Sequence, residues 1–193
     1  MQNATPPAVE LDELVSLFYA DRQQLGVFDR REAGKCPEAY RQMLAHQAHM
    51  TVTVESRHAC PVGVQVLESR RTGAHYLRKI ILRRNSDQRV VQYGIVRLAL
   101  AALKPEVRDE ILAQKIPLGR VLIQHNVLRQ VQLNALWQVE CGAELAELFQ
   151  VEVGHQTYGR TALIYCDGEP AVELLEIVAP EDTFDTPSAR PSS

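Results

Sequence analysis

The stretch that decides the fold is Tyr76-Leu77-Arg78-Lys79-Ile80-Ile81-Leu82. Its apolar and β-branched residues predict a β-strand, which we expect to be the central strand of the fold. Side chains alternate between the two faces of a strand, so Arg78 shares its face with Ile80 and Leu82. This is the more apolar face. A buried cation requires an acidic side chain or an anionic ligand beside it, since an unpaired buried charge is costly. The sequence therefore leaves two interpretations of Arg78 open: a structural ion pair and a ligand-binding group.

Further strands are predicted by period-two alternation of apolar residues, and the last two are joined by the turn signal Asp167-Gly168-Glu169-Pro170. The predicted strands cover residues 51–55, 62–67, 75–83, 90–98, 127–139, 158–166 and 171–178. The predicted helices cover residues 9–25, 36–46, 104–114 and 140–149, with a short one after Pro117. Hairpins combined with clustered helices favour an α+β fold with a single antiparallel sheet of about six strands flanked by helices. Gly94 within its strand indicates a bulge or a close backbone approach.

Length and charge limit the possible functions. The chain has 193 residues, which we expect to form one domain over residues 9–180 with a disordered lead (1–8) and tail (181–193). Its net charge of −3 provides no excess of positive charge for binding nucleic acid. No apolar run approaches the ~20 residues of a membrane span, and the N-terminus does not resemble a signal peptide. We therefore expect a cytoplasmic protein without a membrane or nucleic-acid partner.

The metal-binding residue types are scattered. Cys36, Cys60, Cys141 and Cys166 form no CxxC pair, and a reducing compartment would keep them as free thiols. His46 and His49 could share a helix face, but no cysteine or carboxylate cluster completes a site. We predict no metal.

The last strand carries one carboxylate on each face. Glu176 alternates with Val172, Leu174 and Val178, whereas Glu173 lies on the face of the smaller Ala171. We therefore favour Glu176 as the inward acid, where burial would raise its pKa and suit it to general acid catalysis. The alternative is that Glu176 only forms an ion pair with Arg78 or another base.

Two further places are candidates for contacts with a ligand. Pro117-Leu118-Gly119-Arg120 reads as a turn into a helix, and such a turn can present backbone N–H groups to a carboxylate, although many ordinary helix starts look the same. Met50 lies at a predicted junction between a helix and a strand, where core packing is the alternative role.

Taken together, these elements resemble the chorismate pyruvate-lyases (4-hydroxybenzoate synthetases) over residues 44–180. The resemblance implies a compact antiparallel sheet flanked by helices, and a monomeric enzyme that converts chorismate to 4-hydroxybenzoate and pyruvate without cofactor or metal. Such a product is an aromatic precursor of the ubiquinone type. The resemblance is carried by His49-Met50-Thr51 with Glu55, by the central strand, by Pro117–Leu122, by Tyr158-Gly159-Arg160, by the 167–170 turn and by Leu175–Pro180.

The resemblance also implies roles for four residues. Arg78 matches the arginine that pairs with the ring carboxylate, and Glu176 matches the acid near the 4-oxygen. Met50 and Leu118 match positions that contact the ligand through their backbones. The segment from Pro170 to the glutamate is one residue longer than the family pattern; a β-bulge could absorb this residue, and otherwise Glu173 is the functional acid. The segment before residue 44 matches poorly and receives no assignment.

A binding module of the same fold is the alternative from another class. The effector-sensing domains of GntR-type transcription regulators look similar and bind small ligands without chemistry. Only about 45 residues precede the shared region here, and they have neither a basic footprint nor a clear helix-turn-helix pattern. A third alternative is a lyase relative with a changed substrate or a different product isomer. The sequence leaves open the hydroxybenzoate isomer, the pathway and the oligomeric state.

Overall fold

An antiparallel sheet forms the centre of the protein, whose computed structural model describes residues 9–127 and 129–184. Within these ranges there are seven strands: β1 Gly26–Arg31, β2 Val62–Thr72, β3 His75–Arg84, β4 Val90–Ala99, β5 Arg129–Cys141, β6 Gln156–Cys166 and β7 Glu169–Val178. They lie in the order β1-β5-β6-β7-β4-β3-β2, so the predicted central stretch is in β3, next to the β2 edge. The predicted α+β class with a single antiparallel sheet is confirmed, with seven strands rather than about six.

Helices cover both faces of the sheet. The described α-helices are α1 Leu11–Ser16, α2 Glu38–Leu44, α3 Met50–His58, α4 Pro105–Leu112, α5 Leu118–Gln124 and α6 Ala143–Phe149. Leu175 and Ile177 of β7 join the core under α1 and α6, whereas Leu174 and Val178 join the core on the side of α2 to α5. This division follows from the alternation of side chains along a strand.

The sequence did not reveal β1. The sequence predicts one helix over residues 9–25, but α1 ends at Ser16 and a 3-10 turn, Arg22–Gln24, leads into β1. β1 is an edge strand paired only with β5 among the described strands, and its Val27 is 49% exposed. An edge strand needs few apolar side chains, so the period-two pattern of apolar residues that would predict it is weak.

The predicted strand at residues 51–55 is wrong, because α3 occupies this position. Its alternating threonines and valines are typical of strands. In the structure Met50 and Val54, four residues apart, are both buried on one side of the helix. Tertiary packing therefore overrides the local propensity here.

The chain termini fall partly outside the description. The predicted disordered lead, residues 1–8, and residues 185–193 of the predicted tail lie outside the described residues. Residues 181–184 do not behave as a disordered tail: Glu181–Thr183 forms a 3-10 turn, and the Phe184 ring lies 4.6 Å from the Arg89 guanidinium carbon. No helix in the described part of the chain is long and apolar enough to cross a membrane.

Candidate functional site

A cavity lies between the sheet and the N-terminal ends of α3 and α5. Its empty space is about 480 Å³, including the part open to solvent. All four residues selected from the sequence line it: Arg78, Glu176, Met50 and Leu118. Apolar side chains form much of the remaining wall: Val64, Ile80, Leu82, Val96, Ile164 and Leu174. The fold therefore brings together residues that are up to 126 positions apart, from Met50 to Glu176.

Arg78 is buried without an acidic partner in the part of the chain that the structure describes. Its exposed fraction is 1%, and its Nε and Nη1 atoms have no hydrogen-bond partner among the described residues. Burial lowers the pKa of Arg78, and the Tyr76 hydroxyl acts in the opposite direction. Of the two interpretations of this residue, the structural ion pair is not formed within residues 9–127 and 129–184, and the role of Arg78 in binding a ligand stays a prediction.

Glu176 is held by two donors at another part of the cavity wall. Its Oε2 accepts a hydrogen bond from Arg160 Nε at 2.8 Å, and its Oε1 accepts one from Gln92 Nε2 at 3.3 Å. The ion pair expected as the alternative role of Glu176 is thus present, with Arg160 rather than Arg78 as the partner. These two contacts fix the orientation of the carboxylate next to the cavity.

Arg160 connects Glu176 to the segment that precedes α3. This arginine is 1% exposed, and its Nη1 donates to the His46 carbonyl at 3.0 Å while its Nη2 donates to the Ala48 carbonyl at 3.2 Å. Arg160 was not among the residues selected from the sequence, where it occurs only within the Tyr158-Gly159-Arg160 motif. Its inward position was visible in the alternation of the strand, but the two carbonyls that it reaches belong to residues more than a hundred positions away.

Glu173 lies on the opposite face of the sheet. Arg97 Nη2 donates to Glu173 Oε1 at 2.8 Å and also reaches Glu13 of α1, on the side away from the cavity. In the pairing of β6 with β7, Ile164 opposes Val172 and Tyr165 opposes Pro170, so the residue between them is a bulge. The bulge accommodates the extra residue between Pro170 and Glu176, so the Glu176 side chain remains on the cavity face of the sheet.

Strand pairing sets the separation of the two charged groups. Arg78 pairs with Val96, whose other partner is Leu174, so Glu176 lies two strands across and two residues along from Arg78. Two strand spacings and two residue rises place the two Cα atoms about 12 Å apart. Ile80 and Gly94 lie on the sheet between them.

Gly94 keeps the cavity floor open. A Cβ atom at this position would lie 3.4 Å from Ile80 Cδ1 and 3.4 Å from the Leu175 carbonyl oxygen. The strand register runs without a break through Gly94, so the predicted bulge is not here, and a Cβ at this position would make ordinary van der Waals contacts.

Met50 and Leu118 are the first residues of α3 and α5, and the preceding residues, His49 and Pro117, form no side-chain cap in the described structure. The first backbone N–H groups of a helix have no partner within it. The two helix starts are close together, because a Cβ at Gly119 would lie 3.0 Å from Thr51 Oγ1. Both helix starts line the cavity, and the backbone contacts of Met50 and Leu118 with a ligand stay a prediction.

His49 also lines the cavity and was not selected from the sequence as a site residue. It is 9% exposed, and its Nε2 has no hydrogen-bond partner among the described residues. Burial, and then the cations of Arg129 and Arg160, lower the pKa of His49 to about 4. The imidazole is therefore neutral at physiological pH.

Comparison with known proteins identifies the fold. Neither a protein-family model nor a curated protein sequence matches the chain. PhnF from Mycobacterium smegmatis has a TM-score of 0.53 at 11% identity, over 70% of this chain and 65% of that chain. Its effector domain alone gives 0.53 at 11% identity, over 69% and 90% of the two chains.

A further similar structure is the ligand-binding domain of a putative GntR-family transcriptional regulator from Bordetella bronchiseptica. Its TM-score is 0.46 at 18% identity, with 62% of this chain and 86% of that chain covered. At these identities the likeness to PhnF shows the fold alone. The chain thus has the α+β fold of the PhnF effector domain.

Proposed function

We propose that this protein binds a small aromatic carboxylic acid in the cavity, with the ring carboxylate on Arg78. The observation that carries the proposal is the buried Arg78 guanidinium, whose Nε and Nη1 have no partner among the described residues and which lines a largely apolar cavity. A planar guanidinium binds a carboxylate through two parallel hydrogen bonds. A bound carboxylate would supply the counter-charge that the described part of the protein does not.

The rest of the cavity suits an aromatic ring with a polar group opposite its carboxylate. Ile80, Val96 and Leu174 offer apolar surface to the ring, as is usual for small-ligand sites. Glu176, across the cavity from Arg78, can accept a hydrogen bond from a hydroxyl group. We therefore propose 4-hydroxybenzoate as a ligand. The similarity of the fold to effector domains supports a binding function of this kind.

Calorimetric titration tests the binding proposal. We expect 4-hydroxybenzoate to bind and 4-hydroxybenzamide, which lacks the charge, to bind at least about tenfold more weakly, since a hydrogen-bonded charge contributes about 1.5–3 kcal/mol. Arg78→Met should abolish binding, and the control Arg97→Met, on the other face of the sheet, should not. Equal affinity for the acid and the amide, or binding that survives Arg78→Met, would contradict the proposal.

A second candidate function is that of a chorismate pyruvate-lyase, which we propose as the activity of the same site. The observation that favours it is Glu176, the one carboxylate among the described residues that line the cavity, held by Arg160 and Gln92. In this reaction the ring loses its C4 proton while the bond from C3 to the enolpyruvyl oxygen breaks. The products are 4-hydroxybenzoate and enolpyruvate, which becomes pyruvate. Glu176 would assist proton transfer near the 4-oxygen while Arg78 orients the ring.

Incubation with chorismate tests the activity. Pyruvate is followed with a coupled dehydrogenase, and the aromatic product is identified by chromatography. Release of pyruvate together with 4-hydroxybenzoate is expected. Pyruvate with another aromatic acid would keep the elimination and change the product. No pyruvate, with 4-hydroxybenzoate still bound, would refute the lyase and leave the binding function.

A further inference from the structure

Gln92 lines the cavity beside Glu176 and has one polar atom without a partner in the described part of the chain. It belongs to β4, where it pairs with Val178 of β7, and it is 3% exposed. Its Nε2 donates to Glu176 Oε1 at 3.3 Å, whereas its buried Oε1 has no hydrogen-bond partner among the described residues. A buried acceptor normally has a partner, so a donor is missing here.

The orientation of the Gln92 amide follows from its neighbour. The reversed amide would turn Oε1 towards the Glu176 carboxylate, and two acceptors without a hydrogen between them repel each other. Arg160 holds the carboxylate in place from its other oxygen, at 2.8 Å. Since Oε1 and Nε2 belong to one small planar amide, the unpaired Oε1 lies beside the carboxylate. Two acceptors, Gln92 Oε1 and the Glu176 carboxylate, therefore adjoin each other in the cavity wall.

Both acceptors lie at the end of the cavity away from Arg78. The cavity face of β4 carries Val96, Gly94 and Gln92 in turn; Val96 pairs with Arg78, and Gly94 pairs with Glu176. Gln92 is thus four residues along the strand from the level of Arg78, which corresponds to about 13 Å. A ring whose carboxylate is on Arg78 would therefore direct its opposite edge towards Glu176 and Gln92.

One hydroxyl group donates one hydrogen, so it can satisfy only one of the two acceptors. We propose that Gln92 determines ligand specificity: its Oε1 accepts a hydrogen bond from a second hydroxyl, on the ring carbon next to the one whose hydroxyl binds Glu176. The inference rests on the proposed function, because it takes the ring carboxylate to be on Arg78. It narrows the ligand class to aromatic acids with two adjacent hydroxyl groups opposite the carboxylate.

The test compares two ligands that differ at one ring position, on the full chain. 3,4-Dihydroxybenzoate has the second hydroxyl, and 4-hydroxy-3-methylbenzoate replaces it with a methyl group of similar size that cannot donate. Titration calorimetry should show the dihydroxy acid binding about tenfold more tightly, since a buried acceptor left unpaired is costly. Gln92→Met should reduce this preference to within about twofold. The matched control Gln130→Met, at an exposed position of β5, should preserve it.

A measurement on the wild-type protein keeps the inference testable if Gln92→Met fails to fold. 3-Amino-4-hydroxybenzoate, which also donates from the 3-position, should bind several-fold more tightly than the methyl analogue. If the methyl analogue binds as tightly as either donor ligand, or if the preference survives Gln92→Met, the role of Gln92 is overturned and the Arg78 site is left intact. Binding of none of these acids, and none of 4-hydroxybenzoate, would instead refute the proposed function itself.

Discussion

Replacing Arg78 with Met should stabilise the ligand-free protein and abolish ligand binding. The substitution keeps most of the side-chain volume and removes a guanidinium whose Nε and Nη1 have no partner among the described residues. An unsatisfied buried polar group costs about 1–3 kcal/mol, and access of solvent to the cavity reduces this cost. We expect the free energy of unfolding to rise by about 1–2 kcal/mol, which raises Tm by about 2–8 °C in a chain of this size.

The matched control is Arg160→Met. Arg160 is equally buried, but it forms an ion pair with Glu176 and donates to backbone carbonyls. Removing one partner of a buried ion pair costs about 3–5 kcal/mol, so this variant should be strongly destabilised. The two arginines, both 1% exposed, should therefore respond with opposite signs, because only one of them has its partner within the described protein.

The assay is thermal and urea unfolding followed by circular dichroism, with and without 4-hydroxybenzoate. At a concentration of 100 Kd the ligand should stabilise the wild-type protein by about 2.7 kcal/mol and leave Arg78→Met unchanged. If Arg78→Met instead lowers the stability of the free protein as much as Arg160→Met does, Arg78 is a structural residue. A ligand-induced shift that persists in Arg78→Met would likewise refute the argument.

Three further predictions concern the acid, the floor and the wall of the cavity. Glu176→Gln should lower pyruvate release from chorismate at least about tenfold, and the control Glu173→Gln, outside the cavity, should not. If Glu173→Gln causes the loss and Glu176→Gln does not, Glu173 is the functional acid. Gly94→Val should fill the floor of the cavity and weaken 4-hydroxybenzoate binding at least about tenfold, as measured by calorimetry. The control is Gly34→Ala, whose Cβ would meet nothing within 4 Å. Unchanged affinity in Gly94→Val would show that the ring of the ligand does not lie over Gly94. Burial lowers the pKa of His49 to about 4 in the folded protein, against about 6.5 for an exposed histidine. As the pH falls, the unfolded chain therefore takes up its proton first, and the free energy of unfolding should fall by up to about 3 kcal/mol between about pH 6.5 and 4. Urea unfolding at pH 7.5 and 4.5 should show a smaller fall in His49→Gln, and an equal fall in both proteins would contradict this assignment.

The sequence predicted more of the strands and of the cavity than of the helices. Period-two alternation placed β3, β4, β6 and β7 to within two residues at each end, and it placed Arg78 and Glu176 on inward faces. It failed at α3, where threonine and valine favour a strand but packing of Met50 and Val54 selects a helix. It also missed β1, because an exposed edge strand leaves little apolar pattern to detect.

Which face a residue occupies was therefore determined by the sequence, since the alternation of side chains along a strand is local and visible in the chain. Which residues meet was decided only by the tertiary structure. The insertion of β7 between β4 and β6 brings Glu176 next to Arg160, and leaves Arg78 two strands away without an acid among the described residues. The sequence allowed Arg78 to pair with Glu176 equally well, because the register between strands distant in the chain depends on packing across the whole sheet.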